Sequence, residues 1–340
     1  ALARSARQAG IKLYMMTKQI GRNPVLAKII AQAGIHRAVA VDPWEALALA
    51  QAGIALGNVG NLVQPPRGML ADLLAHGPEV MTVFSLAKAR EVSAVARELG
   101  IHQPLLLRVA GPEDLIYEGQ GGGIALNQLD AVAQKIASLP NVEIVGVTAF
   151  PCLLYNYESQ QVEVTPNLNT ILTAASTLRD LGLTITQVNA PSNTSVATIP
   201  LLAQVGATHG EPGHSLTGTT PMHSQGGQVE APALVYVSEI SHIFGHEAYV
   251  YGGGFYGRSR VQSALVGDKF FPVQLAPPEY IDYYGVLEAK GARVEVGDAA
   301  IFSFRTQVFV TRSRVALLQG LNGGRPELMG IYDSLGREVD

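Results

Sequence analysis

The 340-residue sequence predicts a (β/α)8 barrel followed by a smaller, mostly β domain. Three observations carry that expectation. Eight short runs rich in Val, Ile and Leu lie at 12–17, 37–41, 53–57, 79–84, 104–109, 142–149, 184–189 and 206–210. Helical periodicity fills the gaps between them, which spells a parallel sheet with crossover helices. Past about Pro221 the helical period gives way to alternating β-branched and aromatic segments broken by Gly and Pro. Eight strand–helix units in roughly 215 residues match a closed barrel. An open, doubly wound sheet is the competing arrangement of the same alternation.

In chain order, run 12–17 leads through a Gly-Arg-Asn-Pro turn into helix Val25–Ala33. Asp42 is placed to cap helix Pro43–Ala52. Helices Gly68–His76, Leu86–Leu99, Leu126–Leu139 and Leu168–Leu181 follow, each between two apolar runs. Charge is scarce within the runs, as in strands covered on both faces. The GQGGG segment at Gly119–Gly123 reads as a flexible loop, since its spacing is not that of a dinucleotide-binding turn. The later strands are expected at Leu234–Ile243, Ala248–Tyr251, Ala300–Thr311, Arg314–Leu321 and Glu327–Tyr332. The expected domains are therefore 1–221 and 222–340.

Composition narrows the function. Hydrophobic residues make up 47% and charged residues 15%, which suits a large core. The net charge is −4 and no basic run occurs, which argues against nucleic acid or an anionic membrane as partner. Ala46–Gln64 lacks Lys and Arg but carries Gly and Asn, so it reads as helix, strand and loop, not a membrane span. One cysteine, Cys152, excludes an internal disulfide framework and fits a reducing, cytoplasmic setting. The chain opens at Ala1 within helical periodicity and without a methionine, so residues ahead of it are expected.

In a barrel the chemistry lies at the C-terminal strand ends. Here these carry Lys18, Asp42, Gln64, Arg108, Ala149-Phe150, Asn189–Ser192 and Glu211–His214. Lys18 presents one amine after a buried strand, which suits either a salt bridge or a Schiff base. Asn189-Ala-Pro-Ser-Asn-Thr-Ser195 offers small hydroxyls and backbone N–H groups ahead of a helix expected near Val196. That is an anion site or simple capping by Ser192 or Thr194. Glu211-Pro-Gly-His-Ser-Leu-Thr-Gly218 sets a carboxylate beside a glycine turn. A lysine, a phosphate-ready loop and a carboxylate together suit pyridoxal 5′-phosphate.

Longer stretches sharpen this. LYMMTKQIGRNP, VFSLAKAREVSA, FPCLLYN, PNLNT, NAPSNTS, LLAQVGATHGEPGHSLTGT, SEISH, YGGGFYGR, FRTQVFVTRS and YDSLG resemble, in order, the fold-type III pyridoxal-phosphate enzymes. These are the alanine racemases and the ornithine and diaminopimelate decarboxylases, and the sequence is most similar to their YhfX-type branch. The resemblance implies an alanine racemase-like barrel and a substrate that is an amino acid or amine. It puts Lys18 where these enzymes form the internal aldimine. Asn189, Ser192, Thr194, Gly213 and His214 fall in the cofactor and phosphate loops, and Tyr332 where the second domain reaches the phosphate. Glu211 matches the decarboxylases' glutamate at the pyridine nitrogen, where alanine racemases have arginine. A carboxylate keeps that nitrogen protonated and the ring a strong electron sink, which suits deprotonation, decarboxylation or aldol cleavage at Cα.

One position departs: Ala149 stands where relatives often carry a ring-stacking histidine, and Phe150 is one residue off, so it should face the other way. The resemblance also implies a second base, a tyrosine of the β domain completed across a homodimer. Tyr256 is favoured over Tyr251, Tyr283 and Tyr284. Arg305, expected within an apolar strand, is the candidate for a substrate carboxylate, with Arg108 next. His242, His246 and Glu247 do not make a convincing metal site, so none is expected. Cys152 reads as a buried apolar residue. The expected reaction is racemisation or epimerisation, with a lyase step or a non-catalytic cofactor carrier as alternatives.

Overall fold

The computed structural model describes residues 1–257, 259–291 and 293–339. The chain divides into two compact units, Ala1–Thr17 with Pro24–Leu216, and Lys18–Asn23 with Thr217–Asp340. In the first, eight parallel strands form a closed ring: β1 (Lys12–Met16), β2 (Arg37–Ala40), β3 (Ala55–Val59), β4 (Val80–Val83), β5 (Gln103–Ala110), β6 (Val142–Thr148), β7 (Gln187–Asn189) and β8 (His209–Gly210). They pair in that order, and β8 returns to β1 through Lys12↔His209 and Leu13↔Gly210. The closure excludes the open doubly wound sheet.

Eight helices alternate with the strands: α1 (Leu2–Ala9), α2 (Pro24–Gln32), α3 (Pro43–Gln51), α4 (Leu70–Ala75), α5 (Leu86–Glu98), α6 (Leu129–Ala137), α7 (Pro166–Asp180) and α8 (Ile199–Gln204). They bury Leu49, Leu73, Val92, Ile136, Leu178 and Leu202 completely. Each such side chain contributes about 1.5–3 kcal/mol relative to exposure. Asp42 caps α3 by accepting from the Glu45 amide at 2.7 Å, and Pro43 occupies the first turn, where no N–H is needed.

Strand edges differ from the sequence expectation for local reasons. Run 53–57 becomes β3 at 55–59 because Gly53, with φ 79°, ends α3 and its amide bonds to Ala50 O. Run 206–210 shrinks to two residues because Gly206 and Ala207 still close α8. A hairpin, Leu153–Asn156 with Gln161–Val164, is inserted after β6 and was not foreseen.

The ring's interior is partly polar. Tyr14 of β1 donates to Gln187 Oε1 of β7 at 3.5 Å, and its ring centroid lies 5.3 Å from that of His209 on β8. A Cβ on Gly57 of β3 would strike the Tyr14 ring. Residues from four strands meet in this way only inside the ring. Gly57→Ala is therefore expected to cost about 1–3 kcal/mol by overpacking, read as a lower urea midpoint at unchanged m. A parent-like midpoint would show that Tyr14 yields freely.

Burial, and then the charge of Lys12, push the His209 imidazole from 6.5 down to about 3. The folded state thus keeps it neutral while the unfolded chain protonates it. Its contribution to stability is full above about 6.5 and is lost as pH falls toward about 3. His209→Gln is expected to flatten unfolding free energy against pH across that window. An unchanged slope would assign it to other groups.

The second unit holds a six-stranded antiparallel closed barrel: β9 (Tyr236–Phe244), β10 (Glu247–Tyr251), β11 (Ser263–Val266), β12 (Lys269–Leu275), β13 (Tyr284–Glu288) and β14 (Ala299–Phe302). The spatial order is β9-β10-β13-β12-β11-β14 and back to β9. Ile240, Val250, Phe255, Phe271, Leu287 and Phe302 form its core. A separate hairpin follows, β15 (Val315–Gln319) with β16 (Glu327–Tyr332). The strand expected over Ala300–Thr311 stops at Phe302, and Val308–Val310 is a 3-10 turn. β11, β12 and β13 were not anticipated. Among the described residues, no helix is long and apolar enough to cross a membrane.

Candidate functional site

In the first unit the ends of β1 and β8 run side by side, and the Met16 amide bonds to Pro212 O at 2.9 Å. This sets Glu211 on the rim, yet only 6% exposed. Carboxamides surround it. Asn189 Nδ2, at the end of β7, donates to Glu211 Oε1 at 2.7 Å, and Asn58 Nδ2 of β3 donates to the same oxygen at 3.2 Å. Asn61 Nδ2 reaches Oε1 at 3.3 Å and Oε2 at 3.0 Å. Thr82 Oγ1 of β4 donates to Asn58 Oδ1 at 2.7 Å and so fixes which end of that amide faces the carboxylate. Among the described residues, nothing donates to the buried Asn61 Oδ1 or Asn189 Oδ1.

Arg108, at the rim of β5, is buried. Its Nη1 donates to Asn61 O at 3.1 Å, and its guanidinium lies 5.2 Å from the Phe84 ring centroid. Burial lowers its pKa, opposed by the nearby Glu211 carboxylate. Gln64 bridges the β3 and β4 ends, donating to Gly60 O and Thr82 O and accepting from the Phe84 amide.

After β7 the chain makes an unusual turn. Ser192 and Asn193 have φ of 94° and 46°, in the left-handed region that non-glycine residues seldom enter. The base of the inserted hairpin holds them there: Ser192 Oγ and Asn193 Nδ2 donate to Leu153 O at 2.7 and 3.0 Å, and the Cys152 amide donates to Pro191 O. The Glu211 amide donates to Thr194 Oγ1 at 3.0 Å, and Ser215 Oγ donates to Thr194 O at 2.6 Å. Among the described residues, the amides of Asn193, Thr194 and Gly213 have no protein acceptor. The helix begins at Ile199 with Thr198 at its cap, so neither Ser192 nor Thr194 caps it and the start expected near Val196 is corrected. His214 opens a 3-10 turn beside the buried Gly213.

Ala149 is buried, and the Phe150 ring meets Tyr117 edge-on at 5.6 Å. Cys152 is buried, its thiol donates to Ala149 O, and burial pushes its pKa up, so it is a poor nucleophile.

In the second unit, Lys18 is half-buried and opens a 3-10 turn, Lys18–Ile20. Thr306 Oγ1 donates to Gln19 O at 3.3 Å. A Cβ on Gly21 would come within 2.9 Å of Ser334 O, and one on Gly336 within 2.6 Å of Arg22 O. The turn carrying Lys18 is thus packed on the YDSLG segment, whose Tyr332 is buried at the end of β16.

Tyr256 lies just past three glycines, two of which the packing demands, while the third, Gly253, has φ 94°. A Cβ on Gly252 would strike Asp282 O, and one on Gly254 the Tyr236 ring. Asp282 accepts from the Gly253 amide at 2.8 Å and pairs with Arg312 at 2.8 Å. Arg258, next along this motif, lies outside the described residues. Tyr251 and Tyr284 instead join His242 and Tyr249 in an aromatic cluster, with His242 stacked on Tyr249 at 4.4 Å; Tyr283 is exposed. Arg305 lies in the irregular segment after β14, not within a strand, and its buried Nε has no acceptor among the described residues. Among the described residues no group of three His, Cys, Asp or Glu side chains is arranged for a metal.

Asn58, Asn61 and Thr82 were missed by sequence reasoning. The polar pair in GNVGN, just past the apolar run 53–57, was the available signal.

Residues 1–221 match the alanine racemase N-terminal domain, and residues 235–328 match the YhfX-like C-terminal domain. The chain is 45% identical over 344 aligned positions to the uncharacterised protein YhfX of Escherichia coli (strain K12), covering 99% of this chain and 88% of that one. Among solved structures it is similar to alanine racemase of Clostridium difficile 630 (18% identity, TM-score 0.66, covering 98% and 94% of the two chains). It is also similar to D-threonine aldolase of Filomicrobium marinum (16%, TM-score 0.74, 98% and 91%). Diaminopimelate decarboxylase of M. jannaschii aligns at 13% identity with TM-score 0.58, covering 89% and 77%. The chain belongs to the alanine racemase-like, fold-type III family, whose cofactor is pyridoxal 5′-phosphate, and within it carries a YhfX-like C-terminal domain.

Proposed function

We propose that this protein is a pyridoxal-phosphate-dependent enzyme acting at Cα of an amino acid or amine, as a racemase or epimerase. One observation carries the reading. Neighbouring strand ends combine a turn with unpartnered backbone amides at Asn193 and Thr194 and a buried, amide-clamped carboxylate at Glu211. The first suits a phosphate and the second a protonated pyridine nitrogen. The undonated carbonyls of Asn61 and Asn189 add acceptors for a bound polar group. The donor set therefore fits the cofactor.

In this reading Lys18 binds the cofactor's aldehyde carbon. Ser192, Thr194, Gly213, His214 and Tyr332 hold the phosphate, Glu211 the ring nitrogen, and Asn189 the ring's polar edge. Bound pyridoxal phosphate supplies an electron sink for negative charge developing at Cα. Lys18 moves the Cα proton on one face and Tyr256 on the other. Arg305, whose buried Nε lacks an acceptor, takes the substrate carboxylate, with Arg108 closing the ring side. We assign 1–221 to the cofactor domain and 222–340 to the β domain, acting as a homodimer in the cytoplasm.

Incubation with a panel of enantiopure amino acids, followed by chiral chromatography, tests this. Loss of optical purity that depends on Lys18 is expected. Glu211 favours a second reading, a decarboxylase or aldolase, because a carboxylate-held ring nitrogen stabilises carbanions broadly. Release of carbon dioxide or an aldehyde, without racemisation, would decide for it.

Arg305→Ala is expected to raise KM for carboxylate-bearing substrates about ten- to a hundredfold, with a smaller change in kcat. An unchanged KM would remove Arg305 from the substrate site.

A further inference from the structure

We infer that Asn58, Asn61 and Thr82 are positioning residues that hold Glu211 as an acceptor on both oxygens for a protonated ring nitrogen. The inference rests on the proposed cofactor reading. A buried carboxylate must be hydrogen-bonded. Here Asn58 and Asn189 serve Oε1, and Asn61 bridges Oε1 and Oε2. Neutral carboxamides stabilise the carboxylate in its charged form while adding no charge of their own.

Orientation is the sensitive point, because each carboxamide has a donor end and an acceptor end. If Asn58 turned over, its carbonyl would face Glu211 and repel it. Thr82 Oγ1, fully buried, donates to Asn58 Oδ1 at 2.7 Å and blocks that rotation. Arg108 anchors the backbone that carries the second amide, donating to Asn61 O. Thr82, Asn58 and Glu211 thus form a relay of fixed polarity across β4, β3 and the end of β8.

The test uses full-length protein loaded with pyridoxal 5′-phosphate labelled with 15N in the ring. The parent is expected to show the ring nitrogen at the protonated pyridine position. Asn58→Leu and Asn61→Leu should shift the resonance toward the unprotonated position. Thr82→Val should shift it part-way, and Thr82→Ser should restore it. Cofactor affinity should change only a few-fold in Thr82→Val, since the phosphate turn is untouched. A protonated resonance in both Asn58→Leu and Thr82→Val would overturn the inference. Should Asn58→Leu fail to fold, the Thr82→Val and Thr82→Ser pair decides alone. A parent that binds the cofactor with an unprotonated ring would overturn this inference and spare the cofactor reading. A parent that binds no cofactor would sink both.

Discussion

Lys18→Ala should leave no borohydride-stable link between protein and pyridoxal phosphate, and Cα proton exchange should fall by on the order of 10²–10⁴. Position singles out Lys18. Of the seven lysines, Lys12 begins β1; Lys28, Lys88 and Lys135 lie on α2, α5 and α6; Lys269 and Lys290 lie beyond the first barrel. Lys88 is already paired with Glu91 and bonded to Pro65 O. Only Lys18 follows a barrel strand directly, two residues after Met16. Its turn is fixed by close contacts at Gly21 and Gly336, which limits what ordering costs when the amine reacts. Mass spectrometry of reduced, digested protein should find the adduct at Lys18 in the parent and nowhere in the variant. An adduct at another lysine would move the site.

Glu211→Gln keeps the shape and removes the charge. It should lower the rate of Cα exchange about 10²–10³-fold, the range seen when one electrostatic partner of a developing charge is lost. The variant is also expected to meet its clamp badly. Gln offers one carbonyl oxygen where the carboxylate accepted on both, so its amide nitrogen must face a carboxamide donor. A buried, unmatched donor costs about 1–3 kcal/mol, visible as a lower urea midpoint. Cofactor retention should persist, because the turn at Ser192–Thr194 does not depend on that charge. A variant that exchanges Cα protons as fast as the parent would remove the electron-sink argument and return weight to an arginine-like, neutral-ring mechanism.

The barrel was legible because parallel strands covered on both faces must be apolar, and the eight runs with their intervening helices say so directly. Lys18, Asn189 and Glu211 stood out as polar residues at the ends of such runs. The clamp was not legible. Asn58 and Asn61 sit in GNVGN, which reads as a loop, and only the closed ring brings them to Glu211, 153 and 150 residues away. The inserted hairpin was hidden for a similar reason. Its strands are four residues each, all but Leu153 half-buried or exposed, so they carry little period-two signal. In the second barrel, Lys269–Leu275 contains Pro272 and two exposed aromatic or charged positions, a pattern that argues against a strand until closure supplies its neighbours. Arg305 reads as part of a strand because β-branched and aromatic residues continue past Phe302. The chain there leaves the barrel and turns at Val308–Val310 instead.

The most direct test of the central claim is exchange of the Cα proton into heavy water. It would be followed by NMR across L- and D-amino acids, with the holoenzyme and with Lys18→Ala. Exchange by the parent, accompanied by loss of optical purity and absent in the variant, is the result expected. A cofactor-loaded parent that exchanges no Cα proton in any amino acid would contradict the account and leave a cofactor-binding protein without this chemistry.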